Sequence, residues 1–153
     1  MILTGCGYST QELFPDDYRS VAVPIFENRT FARGLEYDLT EAVIKQVEQR
    51  TPYIATRAGV ADTLLEGRVT SVEVRELSET RDAGLPQEVE VLVTIDFTWT
   101  DQRTGDVLVQ RRGFSGVGRY VPTAPVNQPF EVGQHDAVQR LARDLVSTFR
   151  GGW

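Results

Sequence analysis

Leu3-Thr4-Gly5-Cys6 carries the most specific chemistry in the chain, because it reads as a lipobox ending in the only cysteine of 153 residues. A peptidase that cuts just ahead of such a cysteine needs small residues at the two preceding positions, and Thr4 and Gly5 supply them. The thiol of Cys6 is then the nucleophile whose sulfur takes up diacylglycerol. Gly7-Tyr8-Ser9-Thr10 follows as the small, polar run expected of a tether. Such a box is expected behind a leader with a basic region and roughly 7–15 apolar residues; Met1, Ile2 and the box's own Leu3 are the apolar residues that stand ahead of Thr4 here. The alternative for Cys6 is an unmodified thiol in a loose N-terminal segment.

Arginines are the second group with chemistry to offer. Arg68 and Arg75 fall on one long strand, Arg111 and Arg112 on a later one, and Arg119 in the loop beyond it. A guanidinium pairs with phosphate through two parallel hydrogen bonds. Four or five of them on adjacent strands would therefore make an anion-binding patch, despite a net charge of -6. The competing reading is a solvated face, in which they pair with Glu73, Glu88, Glu90 or Asp96 across the strands. Pairs of that kind contribute little.

Other chemistries find no support. His135, the only histidine, stands beside Asp136, but Ser147 lies about three helical turns away, so no nucleophile is positioned and no catalytic residue is assigned. Gly113 to Gly118 follows a strand without preceding a helix and reads as a flexible connection, not a phosphate loop. One cysteine closes no internal disulfide and builds no Cys/His metal site, so no metal or cofactor is expected. The acidic balance argues against a general nucleic-acid partner. No apolar run approaches the ~20 residues needed to span a bilayer, so membrane attachment would have to come from a lipid.

These residues need elements to position them. At 41% hydrophobic and 25% charged residues, the chain has the composition of one ordinary globular domain. Tyr18 to Phe26 is a short β-run with Val21, Val23 and Ile25 on one face, interrupted by Pro24, which cannot donate to a ladder. Glu27 to Thr30 turns the chain. Arg33 to Arg50 has helical spacing at Leu35, Leu39, Ala42, Val43 and Val47, with Thr30 as N-cap and Thr51-Pro52 as terminator. Tyr53 to Thr56 is a weak extended piece. Thr63 to Leu77 is a long strand whose apolar phase flips between Val69 and Val72, which predicts a bulge near Thr70-Ser71 or burial on both faces.

The clearest element is Glu88 to Thr100, where Val89, Val91, Val93, Ile95, Phe97 and Trp99 alternate with Glu88, Glu90, Leu92, Thr94, Asp96 and Thr98. Trp99 and Phe97 belong to the core. Asp101 to Asp106 makes a hairpin with Gly105 at positive φ, and the return strand runs from Val107 to about Phe114. A proline-rich loop spans Val121 to Phe130, with Tyr120 and Phe130 at its borders as aromatic partner contacts. Gln134 to Phe149 is the second helix. Two helices cover one face of such a sheet, which predicts an α+β two-layer sandwich with about four strands in a mixed sheet. The opposite face is left to water or a partner.

Several stretches in this order resemble the lipopolysaccharide-assembly lipoprotein family LptE. They are Gly5-Cys6-Gly7-Tyr8, Val21 to Thr30 leading into the first helix, Gly34 to Thr40 within it, Asp62 to Val69, Trp99 with Asp101, and Arg103 to Leu108. The resemblance spans Cys6 to Phe149 and divides the chain into a lipobox and tether over 1–17 and a single domain over 18–153. It implies two helices on a mixed, mostly four-stranded sheet. It also implies an outer-membrane lipoprotein on the periplasmic face, acylated at Cys6. Such a protein plugs and helps assemble an LptD-type β-barrel and assists lipopolysaccharide transport to the cell surface. The phosphates of lipopolysaccharide would then be the ligand of Arg68, Arg75, Arg111, Arg112 and Arg119. A strand, Phe-Glu-Asn and helix also occur in lipoproteins resembling the CsgG curli-secretion family, so a self-oligomerising envelope or secretion lipoprotein is the alternative.

Overall fold

The computed structural model describes residues 14–77, 88–122 and 128–150. Cys6 with its tether, residues 82–86 and the middle of the proline-rich segment lie outside them. Eight elements follow in order: β1 (Ser20–Ala22), β2 (Glu27–Asn28), α1 (Leu35–Arg50), β3 (Ile54–Thr56), β4 (Thr63–Glu76), β5 (Val89–Asp101), β6 (Val107–Tyr120) and α2 (Phe130–Ser147).

β5 is the spine of the sheet. Its odd residues from Val89 to Asp101 are all buried and its even residues half-buried, as strict alternation requires. β4 and β6 flank it antiparallel. On the far side of β4, both β1 and β2 run parallel to it, and β3 lies parallel outside β1. The sheet therefore has six strands where about four were expected. The surplus is small in residues. β1 and β2 form one line beside β4, broken between Val23 and Phe26 where Pro24 has no N–H to give. The break has a use: the Phe26 ring folds onto Gly67, and any Cβ at that glycine would collide with it.

Both helices lie on the face that carries the odd residues of β5. Leu35, Leu39, Val43 and Val47 of α1 and Val138, Leu141, Ala142 and Leu145 of α2 share one core with Val91, Val93, Ile95, Phe97 and Trp99. This is the α+β two-layer sandwich that the periodicity predicts. Trp99 is stacked on Phe149 at 4.2 Å between ring centroids and meets Tyr18 and Tyr53 at 6.1 and 6.0 Å. Among the described residues, no helix is long and apolar enough to cross a membrane.

Three boundaries differ from the sequence reading. α1 begins at Leu35 behind Gly34, which adopts φ 86. Thr30 does not cap it, because its hydroxyl donates to Asn28 Oδ1 at 2.8 Å and accepts from the Ala32 N–H at 3.3 Å within the preceding loop. α2 begins at Phe130, directly after Pro129. β6 continues through Gly113–Gly118 to Tyr120, which makes that run a strand and places Arg119 on it. The glycines are there because α2 lies directly on the strand: a Cβ at Gly116 would sit 2.6 Å from the Ala137 carbonyl oxygen, and one at Gly118 would strike Gly133. The bulge at Thr70 is present, with β4 slipping by one residue between Val69 and Ser71.

Candidate functional site

The face of the sheet away from the helices carries Leu64, Glu66, Arg68, Ser71, Glu73 and Arg75 from β4, the even residues of β5, and Gln110, Ser115, Val117 and Arg119 from β6. Among the described residues, no element packs over it. The five arginines named from the sequence do not form one patch there. They divide into two groups with different electrostatics.

Arg75 and Arg119 stand at the end of the sheet where β5 begins. Arg75 pairs with Glu73 at 2.7 Å. Arg119 lies opposite Glu90 and approaches it at 3.6 Å and Glu88 at 3.9 Å. These are solvent-exposed pairs worth little energy, and they leave no spare charge for a ligand.

Arg68, Arg111 and Arg112 sit nearer the middle. Arg68 is in register with Asp96, Arg111 with Phe97, and Arg112 lies in the bulge that sets Arg111 and Phe114 against Phe97 and Ile95. None of the three has a carboxylate within 4.0 Å among the described residues. They line a trough of about 390 Å³ together with Pro24, Ile25, Glu27, Glu66, Thr98 and Gln110. Two of the carboxylates in it already have partners. Glu27 accepts from Arg29 at 2.9 Å, and this hydrogen bond, helped by the charges of Arg29 and Arg68, holds its carboxyl below the usual carboxylate range. Asp96 Oδ1 accepts the Gly113 N–H at 2.9 Å, fixing the bulge where Gly113 takes φ 64. The trough therefore gathers three arginines from β4 and β6 and three carboxylates, Glu27, Glu66 and Asp96, beside an apolar wall at Pro24 and at Ile25, which is 60% exposed. Arg29 offsets the charge of Glu27, which leaves a small positive excess. An anion with an apolar flank matches that lining.

Sequence reasoning named the arginines but missed the wall. Pro24 was visible as a strand breaker, and the consequence, an exposed Ile25 beside β4, required the parallel pairing of β2. Phe97 and Trp99 are core residues, as the alternation says. Tyr120 and Phe130 are half-buried and meet edge to face at 6.2 Å; they pack against the core, so their rings serve the domain itself. His135 is exposed on α2, and its neighbour Asp136 accepts from Arg140 at 3.1 Å.

The opposite end of the domain, where the tether enters, is tightly fastened. Asp101 is nearly buried and accepts from the Tyr18 hydroxyl at 3.1 Å and from the Arg103 N–H at 2.7 Å. The Arg103 backbone bond, with those from Tyr18 and Thr104, holds its carboxyl below the ordinary range against the opposing effect of burial. Asp62 Oδ2 accepts from the N–H groups of Arg19 and Ser20 and from the Ser20 hydroxyl. These bonds lower its pKa and tie β1 to β4. The Tyr53 hydroxyl donates to the Pro15 carbonyl at 3.1 Å, and burial pushes its pKa up to about 12.

Comparisons with solved structures show the same fold at low identity. PelC from Paraburkholderia phytofirmans, a dodecamer, superposes with a TM-score of 0.57 at 15% identity, over 88% of this chain and 90% of that one. Protein XCC0632 from Xanthomonas campestris gives 0.54 at 11%, over 86% and 83%. The hypothetical protein CT253 from Chlamydia trachomatis gives 0.52 at 12%, over 86% and 95%. No curated protein sequence matches significantly. The family model for LptE, described as lipopolysaccharide-assembly, matches residues 18–149. That range runs from Tyr18, at the fastened end, to Phe149, which stacks on Trp99, and so takes in both helices and all six strands: the chain belongs to the LptE family.

Proposed function

We propose that this chain is an outer-membrane lipoprotein, acylated at Cys6 and held on the periplasmic face. Its bare sheet face docks against an LptD-type β-barrel, whose assembly it assists, and it helps pass lipopolysaccharide outward. It acts by binding, without catalysis. One observation supports this most: a side of the sheet spanning three strands of 13 or 14 residues that, among the described residues, no helix roofs, with a trough whose arginines have no ion-pair partner there. Membership of the family supports the partner and the ligand. At that trough, Arg68, Arg111 and Arg112 are the residues for lipopolysaccharide phosphates, with Arg111, in register with Phe97, at its border; Arg75 and Arg119 are engaged with glutamates.

The test is charge reversal in the trough. R111E with R112E should weaken lipopolysaccharide binding by at least about tenfold, since hydrogen bonds to charged groups are individually worth about 1.5–3 kcal/mol. Thermal unfolding should be unchanged, because both side chains are exposed. Unchanged affinity would return the trough to the status of a solvated face. The second reading, a self-associating envelope lipoprotein, draws support from the dodecameric neighbour of the same fold; a ring of identical subunits in mild detergent, with no barrel present, would favour it.

A further inference from the structure

We infer that the end of the domain from which the tether leaves holds a second site, made by Arg50, Arg143 and Arg150, for the headgroup phosphates of anionic phospholipids. The inference rests on the reading of Cys6 as the acylated residue. Arg50 is the last residue of α1, Arg143 lies near the end of α2, and Arg150 follows it. The two helices run in the same direction, and their C-terminal ends bring these three side chains to one shallow crevice with Phe14, Val146 and Ser147. Among the described residues, no carboxylate lines it. All three arginines are exposed, and none has an ion-pair partner within 4.0 Å among the described residues. Arg140, on the same helix but farther from this end, is paired with Asp136. Asp16 and Asp17 come next along the chain but do not line the crevice. Arg50 stands in the last turn of α1, where a cation is favoured by the carbonyl ends of the helix; Arg143 and Arg150 are held by their exposure to water.

Position identifies the ligand. Phe14 packs edge to face on Tyr53 at 5.9 Å, and the Arg150 guanidinium lies 5.7 Å from the centre of the Phe14 ring. The chain is thus fixed from Phe14 onward, eight residues after Cys6. Eight residues extend at most about 28 Å, so an inserted acyl anchor holds this crevice close to the bilayer surface. The two acyl chains of a diacylglycerol on Cys6 suffice to anchor the chain, so a basic patch beside them sets how the domain lies on the leaflet. Guanidinium pairs with phosphate geometrically, and Phe14 and Val146 add an apolar margin. The result is a domain oriented with its helix ends toward the leaflet.

The full chain carrying Cys6→Ser, which removes the acyl contribution, would be titrated with phosphatidylcholine vesicles with and without phosphatidylglycerol. Binding is expected only with phosphatidylglycerol. R50Q/R143Q/R150Q should lower it about a hundredfold, roughly fivefold per arginine, whereas R75Q/R119Q, which removes two arginines already paired with glutamates, should leave it intact. If the first triple variant loses stability, salt titration of its parent replaces it, and binding should weaken steeply as salt rises. Equal binding to both vesicle types, an unaffected triple variant, salt-insensitive binding, or displacement by millimolar inorganic phosphate would each overturn the inference. An unacylated Cys6 in the native protein would sink the anchor reading without changing the vesicle result. Failure of the arginine variants would sink this inference and leave the anchor standing.

Discussion

Asp62 and Asp101 help define the tether end, since each carboxylate collects backbone N–H groups there. Both have pKa values below the ordinary 3.8. The stability they contribute is therefore present above the unfolded-state pKa and is lost as pH falls through the lower folded-state values. The midpoint of thermal unfolding should drop on acidification below about pH 4, and D62N and D101N should each flatten that drop. A parent and variants with parallel acid profiles would contradict it. At this scale the sequence was informative about residue type and poor about partnership. Arg75 and Arg119 look no different from Arg111 and Arg112 in the chain, because register alone decides which arginine faces Glu90 and which faces a bulge.

The elements were legible where side chains alternate. Val89 to Trp99 announces β5, and the phase flip between Val69 and Val72 announces the bulge at Thr70. The second half of β6 was illegible for a physical reason: Gly113, Gly116 and Gly118 carry no side chain, so they leave no alternation to read. Gly116 and Gly118 allow α2 to approach the sheet at backbone distance, whereas Gly113 permits the positive φ of a bulge. Likewise β2 is two residues long, and nothing in Glu27-Asn28 distinguishes a turn from a short parallel pairing. The close approach makes a prediction. G118A should destabilise the domain by about 1–3 kcal/mol, the usual cost of overpacking, because the added methyl meets Gly133. Chemical denaturation measures it; a neutral substitution would mean that α2 stands farther off the sheet.

As a whole, the molecule is two-sided and two-ended. One face of the sheet is covered by both helices, and the other, among the described residues, is left bare with a trough of arginines. One end is fastened by Asp62, Asp101 and Tyr53 where the tether enters; at the other, β4, β5 and β6 run on past β2. Family membership connects such a body with lipopolysaccharide assembly, and docking through the bare face is the proposal to be tested. The most direct test is site-specific photocrosslinking in outer membranes, with the probe at Thr98 on the bare face or at Glu41 on the exposed side of α1. Crosslinking of Thr98 to a large β-barrel protein is the predicted result. Crosslinks from Thr98 only to further copies of this chain, or to nothing while Glu41 captures the barrel, would contradict the account.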